Sequence, residues 1–137
     1  MALVGTRGNG KTQMAVELMK DATANRRPAR FTTAVGFFMQ IKSTYRKDAT
    51  RGEADVITEF LLPSLLVVDE FEKRAETAWE NNLLFELLNR RYNQMKDTVL
   101  IANEEKKAFV EYVGESVSSR MNEVGGIVEC TWPSFRK

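Results

Sequence analysis

Histidine is absent from this sequence and cysteine occurs once, at Cys130. The two absences exclude a disulfide framework, a zinc cluster and any mechanism built on an imidazole. They fit a reducing cytoplasm. No apolar run approaches the roughly 18 to 20 residues of a membrane span. The N-terminus also lacks the basic, apolar and small-residue layout of a signal peptide. A soluble, unexported protein with no membrane partner is therefore expected. Charge of one sign is lacking too: 20 Lys and Arg against 19 Asp and Glu leave a formal net charge of +1. Any attraction to nucleic acid must come from local patches. There is no internal repeat, low-complexity tract or linker rich in proline or glycine, so residues 1–137 read as a single domain. At 43% hydrophobic and 28% charged residues, such a chain can bury a core without covalent staples.

What is present alternates between two periodicities. A short strand at Ala2 to Gly5 leads through a glycine loop into a helix from about Lys11 to Asn25, with Met14, Leu18, Met19 and Ala22 at helical spacing. Arg30 to Val35 reads as a second strand. Helices at Phe37 to Arg46 and Glu53 to Leu62 follow, and Pro63 ends the second. Leu65-Leu66-Val67-Val68 is an unbroken apolar run closed by Asp69-Glu70, the pattern of a strand buried on both faces of a parallel sheet. A long helix from Glu76 to Met95, a buried strand from Thr98 to Ala102, helices at Glu104 to Tyr112 and Glu115 to Met121, and a strand at Gly126 to Trp132 complete the series. The expected fold is an α/β sandwich around a mostly parallel, five-stranded sheet.

The segment Gly5-Thr6-Arg7-Gly8-Asn9-Gly10-Lys11-Thr12 fits GxxxxGKS/T, with a strand before it and a helix after it. Its glycines let the backbone turn tightly and present N–H groups to phosphate at a helix N-terminus. Lys11 is the mobile charge for the β and γ phosphates, and the Thr12 hydroxyl is a ligand for Mg²⁺. ATP or ADP with Mg²⁺ is the expected cofactor. Asp69 ends the buried run and can face the same Mg²⁺, and Glu70 can orient or deprotonate an attacking water. Read alone, the acidic pair equally fits a helix cap or a solvated loop. Asn103 fits either a cap for the next helix or, if its strand lies between the other two motif strands, a group aimed at the γ phosphate. Arg120 fits either a surface ion pair with Glu115 or Glu123, or an arginine finger supplied to a neighbouring subunit.

Basic residues gather at Arg26, Arg27 and Arg30, at Lys42, Arg46, Lys47 and Arg51, and at Arg90 and Arg91. The middle group is interleaved with Phe37, Phe38 and Tyr45, a composition suited to single-stranded nucleic acid. A solvated helix face over core aromatics gives the same pattern.

The order of motifs resembles the AAA+ ATPases, members of the P-loop NTPases with a three-layer ASCE core. Within them it is similar to the DnaC/DnaI-type loaders of bacterial and phage replicative helicases. The resemblance runs from Gly5 to Arg136. It rests on the Walker A loop, Walker B at Leu65 to Glu70, and sensor 1 at Asn103. The tail Gly114-Glu115-Ser116-Val117-Ser118-Ser119-Arg120-Met121, then Gly125-Gly126 and Thr131-Trp132-Pro133-Ser134-Phe135-Arg136, adds to it. The resemblance implies an ATPase of a bacterial cytoplasm, weak in isolation, with Glu70, Asn103 and Arg120 as catalytic groups and Arg120 as the arginine finger. It further implies ATP-dependent homo-oligomers, contact with single-stranded DNA, a replicative helicase as partner, and no C-terminal helical lid. The sequence departs from the loaders in having Ser116 where they commonly carry a basic residue. The glycine motif begins at residue 5, which leads us to expect a fragment without the upstream domain that grips the helicase. A transposase helper ATPase of the IstB type, a small-molecule kinase and a nucleotide-gated module without useful hydrolysis remain alternatives.

Overall fold

Residues 1–75 and 77–134 are described by a computed structural model of the chain. In order they form β1 (Ala2–Gly5), α1 (Lys11–Ala24), β2 (Ala29–Thr33), α2 (Ala34–Ser43), α3 (Glu53–Leu61), β3 (Leu65–Asp69), α4 (Ala78–Asn93), β4 (Asp97–Ala102), α5 (Lys106–Glu123) and β5 (Ile127–Cys130). A 3-10 turn at Phe71–Lys73 joins β3 to α4. All strand pairs are parallel, in the order β2-β3-β4-β1-β5.

The apolar run of β3 is buried along its whole length, and successive residues serve opposite faces. Leu66 and Val68 join Val4, Leu100 and Ala102 in a core closed by α2, α3, α4 and α5. Leu65 and Val67 join Leu3, Val99 and Ile101 in a smaller core under α1, sealed by Ala15, Ala22, Met14 and Met19. Period-two alternation along each strand thus fills both layers of a three-layer sandwich, each large side chain contributing roughly 1.5–3 kcal/mol of burial.

Several boundaries differ from the pattern in the sequence. The side chain of Thr33 accepts from the Gly36 backbone N–H at 2.9 Å, which caps α2 and ends β2 two residues before Val35. Thr77 caps α4 in the same way, accepting from the Glu80 N–H at 3.2 Å. Glu76, where the pattern starts that helix, lies outside the described residues. The two late helices meet at Gly114, whose φ of 80° and ψ of 168° kink α5 between them. β5 stops at Cys130, so Trp132 leaves the sheet. α4 stops at Asn93, two residues before the end that the pattern gives it, and Met95, with φ at 57°, is 91% exposed.

Arg91 is fully buried, although it sits in a run that reads as a basic helix end. Its guanidinium donates to the Phe60 carbonyl at 2.8 Å, the Asp97 carbonyl at 2.8 Å and the Thr98 hydroxyl at 2.9 Å. Desolvation pushes its pKa down to about 10. The residue pins α3, α4 and β4 together and is unavailable to nucleic acid. Phe37 and Phe38 are likewise buried in the core and cannot stack on bases.

Candidate nucleotide site at the carboxyl rim of the sheet

In a parallel sheet every strand delivers its last residue to the same rim, and ligands bind where neighbouring connections leave in different directions. Here that rim carries Gly5, Asp69 and Asn103. Because β4 lies between β3 and β1, Asn103 emerges between the acidic strand end and the glycine loop. The strand order that the Asn103 reading required is present.

The loop itself is tightly held. Gly5 has a φ of +140°, and a Cβ added there would lie 2.4 Å from the Cys130 carbonyl oxygen, so the approach of β1 to β5 tolerates no side chain. Gly8 and Gly10 have φ of 83° and 84°, left-handed conformations that turn the backbone into α1. Thr6 and Arg7 are exposed at the outer bend, whereas Asn9 is buried. The Asn9 side-chain amide donates to the Cys130 carbonyl at 2.9 Å and to the Thr6 hydroxyl at 3.5 Å. Beyond β5, the Trp132 indole N–H donates to the Asn9 carbonyl at 2.8 Å and the Ser134 hydroxyl to the Gly8 carbonyl at 3.4 Å. Phe135 and Arg136, which complete the tail motif, lie outside the described residues.

Lys11 is buried, and its ammonium donates to the Thr6 carbonyl and to the Asn9 side-chain oxygen, the latter at 2.8 Å. Desolvation lowers its pKa, opposed by the nearby charges of Cys130, Glu72 and Asp69. A buried cation in a glycine-rich loop is matched by an arriving polyanion. Burial likewise raises the pKa of the Cys130 thiol, against the pull of Lys11.

The Thr12 hydroxyl donates to Asp69 Oδ2 at 2.9 Å, and Asp69 Oδ1 accepts from the Glu70 backbone N–H at 2.7 Å. Two cis oxygens on a Mg²⁺ with ligand distances of 2.0–2.1 Å stand about 2.9 Å apart. The Thr12–Asp69 contact is an ordinary hydrogen bond, and it sets side by side two oxygen donors of the kind this ion prefers. Among the described residues no group of three His, Cys, Asp or Glu side chains can hold a metal alone, so such an ion would share its shell with phosphate and water.

Glu70 has a left-handed backbone, with φ at 51° and ψ at 43°, and its carboxylate accepts from Lys73 Nζ at 3.0 Å. Asn103 does not cap the following helix. Its amide nitrogen donates to Glu72 Oε1 at 3.0 Å. Nothing in the sequence singles out Glu72, because its proximity to Asn103 arises only when β3 and β4 pair.

Arg120 stands apart. It donates to the Asn89 side-chain oxygen and, at 2.8 Å, to the Ser116 hydroxyl, and its guanidinium lies 5.4 Å from the Tyr92 ring centroid. Neither Glu115 nor Glu123 pairs with it; Glu123 instead accepts from the Tyr92 hydroxyl at 2.6 Å. Arg120 lines a cavity of about 650 Å³ together with Met1, Leu65, Asp97 and Thr98, residues at the amino ends of the strands. It therefore lies at the opposite rim from its own phosphate loop.

Comparison with known proteins identifies the family and the fold. The model of the IstB-like ATP binding protein family matches residues 1–118. The chain belongs to that family. This IstB-like ATP-binding domain is also similar to the replicative helicase loader DnaC of Escherichia coli (strain K12), 23% identical over 133 residues that cover 96% of the chain and 54% of DnaC. It is 24% identical over 135 residues to DnaC of Buchnera aphidicola subsp. Baizongia pistaciae, again covering 54% of that protein. The IstB-like domain thus spans about half the length of the curated relatives it matches. Among solved structures, the DnaC helicase loader superposes with a TM-score of 0.78 at 20% identity, covering 95% of the chain and 77% of that structure. The replication initiator DnaA bound to AMPPCP and single-stranded DNA gives 0.80 at 18% identity, covering 97% and 40%. These likenesses show an AAA+ P-loop fold. Among the described residues no helical lid follows β5, and no helix is long and apolar enough to cross a membrane.

Proposed function

We propose that this domain binds ATP with Mg²⁺, hydrolyses it slowly, and uses the bound state to join neighbouring copies on single-stranded DNA during the loading of a replicative helicase in the bacterial cytoplasm. The carrying observation is the 2.9 Å contact between Thr12 and Asp69, set beside a buried lysine. It supports a phosphate site assembled with a Mg²⁺ site. Lys11 and the loop from Gly5 to Thr12 hold phosphate, and Thr12 and Asp69 hold the metal, which would neutralise charge on the phosphates when bound. Glu70 positions the attacking water once its carboxylate leaves Lys73. Asn103 reads the γ phosphate. Arg120, turned away from its own loop, serves the loop of a neighbouring copy. Equilibrium nucleotide binding and turnover test the assignment: Lys11→Ala should lose nucleotide, and Glu70→Gln should keep ATP but not turn it over. Equal ATP binding by Lys11→Ala and wild type would overturn it.

Contact with single-stranded DNA is supported by a surface that the sequence identified only in part. Tyr45 and Trp79 are 56% and 37% exposed, with ring centroids 6.3 Å apart. Lys42 Nζ lies 5.7 Å from the Trp79 ring centroid. Exposed aromatics beside a cation suit base stacking and backbone contact.

A second reading, a helper ATPase for a transposase, is favoured by the family match itself. Co-purification of the full-length protein with replicative helicases and transposases, with and without ATP, separates the two. Phosphate transfer to a small hydroxyl compound would favour a kinase. ATP binding without turnover on single-stranded DNA would favour a nucleotide-gated module.

A further inference from the structure

Glu72 ties the turn after β3 to the end of β4 at the carboxyl rim of the sheet. It sits on the turn after β3, and its Oε2 is buried with no hydrogen-bond partner. The neighbouring cation on that turn, Lys73, is committed to Glu70. What Glu72 does hold is Asn103, whose amide nitrogen donates to Oε1 at 3.0 Å. Its charge also acts on Lys11, and the end of β4 that carries Asn103 lies between the ends of β3 and β1.

The chemistry of the two groups makes the contact directional. An ionised carboxylate only accepts, whereas an asparagine amide donates from one end and accepts from the other. Glu72 therefore selects the nitrogen end of Asn103 and fixes the rotation of the amide. One N–H is spent on the carboxylate and the second remains. A phosphate oxygen also only accepts, so an amide turned the other way would present its oxygen to an anion and repel it.

We propose that Glu72 is the positioning residue of the γ-phosphate sensor: by holding the Asn103 amide nitrogen toward the site, it gives the domain its preference for ATP over ADP. The inference rests on the nucleotide reading above. It assigns Glu72 no contact with substrate, since it acts through Asn103.

Equilibrium binding of AMPPCP and of ADP, each with Mg²⁺, tests it without requiring turnover. Wild type should prefer AMPPCP. Glu72→Ala should lower that preference by about tenfold, read as the ratio of the two affinities, because removing the carboxylate's charge beside Lys11 acts on both nucleotides alike. Glu72→Gln, which still offers an oxygen to the Asn103 N–H, should keep most of it. Asn103→Ala combined with Glu72→Ala should be no worse than Asn103→Ala alone, because the two residues act as one unit. If Glu72→Ala fails to bind ADP because it does not fold, Glu72→Asp gives the same readout, since its shorter side chain withdraws the acceptor and keeps the charge. An unchanged preference in Glu72→Ala or Glu72→Asp, a Gln variant as impaired as the Ala variant, or additive loss in the double variant would each overturn the inference alone. Failure of wild type to bind either nucleotide would overturn the site assignment and this inference together.

Discussion

The indole N–H of Trp132 donates to the backbone carbonyl of Asn9 at 2.8 Å, so the segment that follows the last strand is fastened to the phosphate loop near the start of the chain. Asn9 completes the link by donating to the Cys130 carbonyl. The loop is thus held from inside by Lys11 and from outside by the tail.

Replacing Trp132 by Phe retains a ring but removes the donor and leaves the Asn9 carbonyl without it. Thermal unfolding should show a loss of about 0.5–1.5 kcal/mol. In a Trp79→Phe background Trp132 is the sole tryptophan, and its emission should shift when ATP and Mg²⁺ bind. No shift should appear when Lys11→Ala is added.

The lowered pKa of Lys11 has a definite sign. The folded, nucleotide-free state binds fewer protons than the unfolded state between the lowered value and the ordinary lysine value of 10.5. The cost of burying the charged ammonium is therefore present at neutral pH, and it is relieved as pH rises through that window. Phosphate raises the pKa again, so nucleotide binding in the alkaline range should take up protons. Calorimetry in buffers of different ionisation enthalpy reads this uptake. Proton release on binding would contradict the account.

An arginine at the far rim makes a mixing experiment informative. Arg120→Ala should bind ATP as wild type does and lose about 10³- to 10⁵-fold in turnover. Lys11→Ala should lose nucleotide. Mixed together, the two should recover part of the activity, since one supplies an intact loop and the other an intact arginine. Activity that never recovers on mixing would place Arg120 outside the reaction of its neighbour.

For the aromatic surface, Tyr45→Ala and Trp79→Ala should each weaken binding of a short single-stranded DNA by about 1–3 kcal/mol. Phe31→Ala is the control, because Phe31 is also exposed, at 40%, and lines a separate shallow surface with Thr12, Val16 and Met19. Fluorescence anisotropy distinguishes them. Equal loss from all three would point to a general effect on folding.

The parts legible in the sequence were those carried by local order. A glycine loop between strand and helix, and an apolar run closed by an acid, announce their positions within eight residues or fewer. The pattern could not separate aromatics in the core from aromatics on the surface: Phe38 and Tyr45 flank the same lysine, Lys42, yet one is 3% and the other 56% exposed. Nor could it tell that Arg91 is buried while its neighbour Arg90 lies within 4.0 Å of Glu86 at the surface, since helix rotation decides that. Glu72 and Trp132 gained their partners only through strand pairing across the sheet.

That dependence on pairing bears on how the domain is made. β1, the strand that carries the loop, is hydrogen-bonded on one side to β4 and on the other to β5, with Val4 opposite Ala102 and Gly5 opposite Cys130. Neither neighbour is made until most of the domain has been synthesised, and contacts across so much sequence form slowly. Within this domain the strand made first is thus among the last to acquire its native setting. Nucleotide affinity should arrive with completion of the sheet, and nucleotide present at that moment would favour the finished fold by mass action.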